Sequence, residues 1–356
     1  MLARVIADVP SHTRHCATVT SPFVCPAGTH NMLQSRELCE LLADTLTSWS
    51  ELGVVEYELH NVSNLSHLTS LTSLSLIDDE ELGNLSELHA LCHLHTFQLI
   101  GCADFSSMVA NFTNMQKLCL EGRASKVDLS CCTQLMQIEM KYIHIHLQQL
   151  ALPCGNDVHL QNLFLKHDAW DLGSDGNHHF VLQHLASASQ LTSLSLCNVY
   201  PSKFRYRGWP SRMQELQELT ATRMPGGPVQ TWCHYPNLVS LDLSGLAQPN
   251  LPSGFSDMTQ LKSLVLSAAL LTVFPTCLLH LSHLSRLLLD NIWPPMLISK
   301  EIASIATWEY LRELDLSIPA NHGDQLTYTL DTQVQLLKLH HILVPRGVTV
   351  TLSVLW

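Results

Sequence analysis

The unit Leu-x-x-Leu-x-Leu, with other aliphatic residues admitted, begins at residues 71, 94, 115, 135, 160, 191, 216, 238, 261, 284, 311 and 334, at intervals of 20 to 31 residues. Neither a helix nor a strand alone explains that spacing. An amphipathic helix needs apolar steps of three and four, and a half-buried strand needs strict alternation. Within "LSHLTSLTSLSL" the leucines at 65, 68 and 71 step by three, whereas those at 74 and 76 step by two. The change of period marks a change of backbone, where a return segment ends and a short strand begins. One such unit cannot bury its own leucines, so neighbours must stack, and the 356-residue chain is expected to form a solenoid.

The most regular copies are "LTSLSL" (71–76 and 191–196), "LVSLDLS" (238–244), "LKSLVLS" (261–267), "LSRLLLD" (284–290) and "LRELDLS" (311–317). Weaker copies are "MQKLCL" (115–120), "LMQIEM" (135–140), "LQELTA" (216–221) and "VQLLKL" (334–339). Between Leu251 and Leu289 a longer pattern emerges, Leu-Pro-x-x-Phe-x-x-Met-x-x-Leu-x-x-Leu-x-Leu, followed by Phe274-Pro275-x-x-Leu278-x-x-Leu281-x-x-Leu284. This text resembles the leucine-rich repeat family in its plant and green-algal form. The resemblance covers roughly residues 60–340 and implies an α/β solenoid of about twelve repeats, curved like a horseshoe, with a parallel β-sheet on the concave face. It departs from the family eight residues after each start, where Asn or Cys is usual. Here stand Asp79, Cys102 and Asp168, but also Val199, Leu246, Ala269 and Ile292, so these turns must satisfy their backbone groups in another way.

Four regions are expected: a flexible tail over 1–34, a capping helix and degenerate repeat over 35–59, the repeat array over 60–343, and a C-terminal strand over 344–356. Leu38, Leu41, Leu42, Leu46 and Trp49 fall at helical spacing. Val54, Tyr57 and Leu59 suggest a degenerate first strand, and Val348, Val350, Leu352 and Val354 alternate as a last one. An apolar strand at the end of an array invites edge pairing, so either self-association there or a longer natural chain, of which this is a truncated gene model, is expected. Insertions interrupt the rhythm at 166–180, 198–213 and 291–310.

Charge and motif narrow the function classes. A net charge of −12 opposes binding to double-stranded nucleic acid or to an anionic membrane surface, because both need a basic footprint. The 21 histidines would offset much of that charge in mildly acid solution. No run of 18 apolar residues occurs, so no membrane span is expected. The twelve cysteines are read as small buried hydrophobes in a reducing, cytoplasmic setting. Phosphate-loop, dinucleotide, metalloprotease and nucleophile-elbow motifs are absent. Cys92, His93, His95 and Cys102 lack the paired spacing of a zinc site, as do His144 and His146. No enzyme activity, cofactor or metal is expected.

If positions 1, 4 and 6 of each unit point inward, positions 3, 5 and 7 face solvent on the sheet. Position 5 then holds Ser75, Gln98, Cys119, Glu139, Phe164, Ser195, Thr220, Asp242, Val265, Leu288, Asp315 and Lys338. Phe164 beside Lys166, and Val265 and Leu288 beside Arg286 and Asp290 and between Asp242 and Asp315, set apolar groups among charges, as interface hot spots do. A second candidate is "YPSKFRYRGWPSR", where Lys203, Arg205, Arg207 and Arg212 alternate with aromatic residues including Trp209. The expected function is a protein-interaction scaffold with a partner that the sequence does not name. The resemblance also implies two alternatives, the substrate-recognition subunit of a ubiquitin ligase and a secreted or receptor ectodomain. Residues 35–49 supply only one helix of an F-box, however, and the signal peptide and cysteine caps of an ectodomain are missing. The family also includes ciliary members, an alternative to the cytoplasm by resemblance only.

Overall fold

The structure, a computed structural model, describes residues 51–55, 69–77, 88, 90–101, 112–122, 126–143, 149–154, 157–167, 181–198, 213–223, 232–246, 250–267, 274–289, 304–316 and 330–352. Its strands are β1 (Glu51–Val55), β2 (Ser73–Ile77), β3 (Thr96–Gly101), β4 (Lys117–Gly122), β5 (Lys126–Asp128), β6 (Gln137–Ile143), β7 (Gln149–Ala151) and β8 (Asn162–His167). They continue as β9 (Val181–Gln183), β10 (Ser193–Cys197), β11 (Glu218–Thr222), β12 (Ser240–Asp242), β13 (Ser263–Val265), β14 (Arg286–Leu288), β15 (Glu313–Asp315) and β16 (Thr349–Thr351). Helix α1 spans Leu330–Leu343. All strands except β5, β7 and β9 form one 13-stranded sheet whose spatial order is the order of the sequence. Every pairing in it is parallel, as in β2 with β3 and β14 with β15.

The repeat explains why. Position 4 of successive units, from Leu74 and Phe97 through Leu264 to Leu314, is at most 1% exposed, and it forms the floor of the core. The three-residue steps recur in the return segments. Ahead of most starts the described residues three and six positions earlier are buried, for example Leu278 and Leu281 ahead of Leu284, and Phe255 and Met258 ahead of Leu261, whereas ahead of Leu160 Asp157 is exposed and Cys154 half-buried. The corresponding Leu65 and Leu68 lie outside the described residues.

Backbone hydrogen bonds lock the register. The position-2 carbonyl of each unit accepts two amides from the next, as Thr72 O accepts from His95 N at 2.7 Å and Thr96 N at 3.0 Å. The same bifurcated pattern repeats to Ser285 O, which accepts from Arg312 N and Glu313 N. Where the polar side-chain ladder is broken, the backbone replaces it. Asn198, Arg223 and Gly245, all at position 8, have positive φ of 58°, 52° and 72°. That left-handed turn lets each amide donate to the position-7 carbonyl of the following unit, at Thr222, Ser244 and Ser267, over 3.0, 2.7 and 2.6 Å. Asp242 adds a brace, its Oδ1 accepting from Ser244 N at 2.9 Å.

Gly245 is the residue best suited to that turn, and a Cβ there would lie 2.8 Å from Arg223 Cγ and 3.3 Å from Arg223 Cα. Gly245→Ala should cost about 1–2 kcal/mol in urea unfolding, because an L-residue resists left-handed backbone. Gly245→Asn should recover part of the loss, since Asn tolerates that conformation while keeping the Cβ. Equal stability of the glycine and alanine forms would show that the turn relaxes.

The ends differ from the sequence reading. The spacing of "VQLLKL" predicts a strand, but the segment lies within α1. It satisfies the strand rule, yet Leu336, Leu339 and Leu343 also step by three and four, and all three are buried against the array. Lys338 therefore leaves the sheet column for an exposed helix position, and Thr351 of β16 takes its place beside Asp315. The last strand is Thr349–Thr351, parallel to β15, with Val348 buried ahead of it. At the other end the strand is Glu51–Val55 rather than 54–59, with Leu52 and Val54 in register with Leu74 and Leu76. The expected tail over 1–34, the helix over 35–49 and residues 353–356 lie outside the described residues. A small second parallel sheet, β5-β7-β9, has no counterpart in the sequence reading. It aligns Val127, Leu150 and Leu182 across three return segments.

Candidate interaction surface

On the solvent side of the large sheet, the position-5 residues stand in one row across paired strands. The register runs from Ser75 and Gln98 through Cys119, Glu139 and Phe164. It continues through Ser195, Thr220, Asp242, Val265, Leu288, Asp315 and Thr351. The alternation expected from sequence holds: Leu194 and Leu196 of β10 are buried, and Ser193, Ser195 and Cys197 are not.

Two clusters stand out along this row. The first surrounds half-buried Phe164. Lys141 Nζ lies 5.9 Å from the Phe164 ring centroid and 2.5 Å from Glu139 Oε1. The register between β6 and β8 shifts between Met140 and Ile143, and such a bulge re-aims side chains. Lys141 stands at position 7, on the same face as Phe164, next to this shift. The hydrogen bond to Glu139 raises the Lys141 ammonium above its ordinary value, so it stays charged. Burial, and then the Glu139 carboxylate, push the Cys119 thiol up, which makes it a poor nucleophile at neutral pH. Lys166, expected beside Phe164, is half-buried at position 7 of the same strand.

The second cluster spans β12 to β15. Asp242, Val265, Leu288 and Asp315 are consecutive in register. Arg286 Nε donates to Glu313 Oε2 at 2.8 Å, one position-3 side chain to the next. Strand alternation predicts a solvent-facing Val265, but at 9% exposure it forms a low floor in the row. Leu288 remains half-buried and is the accessible apolar group. Asp290 and the insertion residues Lys203, Arg205, Arg207 and Trp209 lie outside the described residues, as do Cys102, His144 and His146.

The cysteines divide. Burial pushes the thiols of Cys132 and Cys233 up to about 12, which fits the expectation of inert core residues. Cys92 and Cys131 are exposed, contrary to it. Sequence reasoning also missed the exposed apolar residues Val334, Leu337 and Ile342 on α1 and Val344 beyond it, because the strand reading hid the helical wheel. Among the described residues, no group of three or more His, Cys, Asp or Glu is placed to hold a metal ion, and no helix is long and apolar enough to cross a membrane.

No protein-family model matches the chain, and no curated protein matches it in sequence. Solved structures do. An internalin (inlF) from Listeria monocytogenes is similar with a TM-score of 0.58 at 14% identity, over 92% of this chain and 90% of that one. A TDR receptor is similar with a TM-score of 0.52 at 13% identity, over 82% of this chain and 54% of that one, so the present chain spans about half its length. Likeness at this identity is likeness of fold, and the fold is the leucine-rich repeat solenoid.

Proposed function

We propose that the chain is a non-enzymatic protein-interaction scaffold that holds its partner on the solvent-facing side of the 13-stranded sheet. The observation behind this reading is the continuous position-5 row, in which Phe164 and Leu288 stand among charged residues that the core does not need. A rigid sheet presents such a row at little entropic cost on binding, and aromatic and aliphatic anchors ringed by polar groups are where interface energy concentrates. One of the similar solved chains described above is itself a receptor. Replacing Phe164, Arg286 and Leu288 together with alanine should reduce partner capture at least tenfold in quantitative affinity capture, while circular dichroism and the unfolding midpoint stay close to those of the parent. Undiminished capture by the triple variant would place the binding surface elsewhere.

A further inference from the structure

We propose that the β12–β15 part of this surface takes an extended segment of the partner with the pattern basic-x-aliphatic-x-basic, laid across the strands. The inference rests on the sheet face being the binding surface, and it adds the chemistry of what binds. Asp242 and Asp315 are the two ends of a four-residue row whose middle is Val265 and Leu288. Neighbouring strands are about 4.8 Å apart, so the backbones of the two aspartates stand about 14 Å from each other. An extended peptide rises about 3.4 Å per residue, so its residues i and i+4 face the same way about 14 Å apart. Residue i+2 then falls midway, over the Leu288 side chain and the Val265 floor.

The surrounding charges favour this polarity. Arg286 is held by Glu313 at 2.8 Å, so it does not oppose an incoming cation as a lone charge would. The next basic groups, Lys262 and Arg312 at position 2 and Arg223 at position 8, are exposed three residues along the strands from the row, about 10 Å away. Ser240 and Ser263 at position 3 and Ser244 at position 7 add uncharged hydrogen-bonding groups beside the two aspartates. A partner with acidic residues at the same spacing would meet Asp242 and Asp315 as like charges.

The probe is the fluorescein-labelled peptide Gly-Gly-Lys-Ser-Leu-Ser-Lys-Gly-Gly, titrated with the full chain and followed by anisotropy. Saturable binding is expected below about 1 mM at low salt. The peptide with both lysines replaced by glutamate should bind at least tenfold more weakly, and so should one with the leucine replaced by serine. Asp242→Asn with Asp315→Asn should weaken the lysine peptide about fivefold. The Asp242→Asn change keeps a side-chain oxygen that can brace Ser244, so the fold should survive, as circular dichroism would verify. Equal binding of the glutamate peptide, indifference to the double variant or no saturation by about 1 mM overturns the inference. If the peptide fails while the Phe164, Arg286 and Leu288 variant still loses its partner, the scaffold reading stands and only this ligand chemistry falls. If that variant keeps its partner, the face itself is wrong.

Discussion

Leu264→Ala should lower the unfolding free energy by about 2–5 kcal/mol in urea titration. Leu264 is fully buried at the centre of β13, in register with Leu241 on one side and Leu287 on the other. The cavity left by the missing side chain cannot close cheaply. The backbone around it is pinned on both sides, because Lys262 N and Ser263 N donate to Val239 O while Ser285 N and Arg286 N donate to Lys262 O. In a solenoid each unit is stabilised only by its neighbours, so the loss weakens two interfaces at once and separates β14 and β15 from the rest of the array. Hydrogen exchange should therefore rise most from β13 onward. Leu288→Ala, one unit on but on the solvent side of the sheet, should cost less than about 1 kcal/mol. Similar losses at both sites would mean that the inward and outward faces have been assigned wrongly.

That contrast shows what the amino-acid text makes legible. The step from three to two at Leu71, Leu74 and Leu76 reflects two backbones that bury leucine at different periods, and the same step predicts eleven of the sheet's thirteen strands. Periodicity fails where one string satisfies two periods, as in "VQLLKL": its Leu336 and Leu339 serve a helix as well as a strand, and only the flanking Leu343 decides between them. The frame of β1 is hidden because a weak unit carries few leucines. The left-handed turns at Asn198 and Arg223 are hidden because residues other than glycine adopt them under backbone hydrogen bonding from the next unit. The candidate surface is legible as a column of residue types, since strand alternation fixes which side chains share a face. Its local geometry is not. The contact of Lys141 with Phe164, the register shift beside it and the low exposure of Val265 depend on neighbouring strands, which no single repeat encodes.

Phe97 is the case in which packing between units departs furthest from the repeat. It occupies position 4, where the neighbouring strands have Leu74 and Leu118, and its ring stacks on Phe112 at 6.1 Å between centroids with an interplanar angle of 24°. Phe112 lies in the return segment of the next unit, three residues before Met115, so the pair bridges two repeats and both members are buried. Phe97→Ala should cost about 3–5 kcal/mol in urea unfolding, because it empties an aromatic volume between stacked units. Phe97→Leu, which restores the residue found at this position in the adjoining strands, should cost less than half as much. Phe112→Ala should also destabilise, and the double alanine variant should fall short of the sum by about 0.5–1.5 kcal/mol, the coupling expected of an offset aromatic pair. Strict additivity would show that the two rings fill separate cavities and that this interface is held by leucine packing alone.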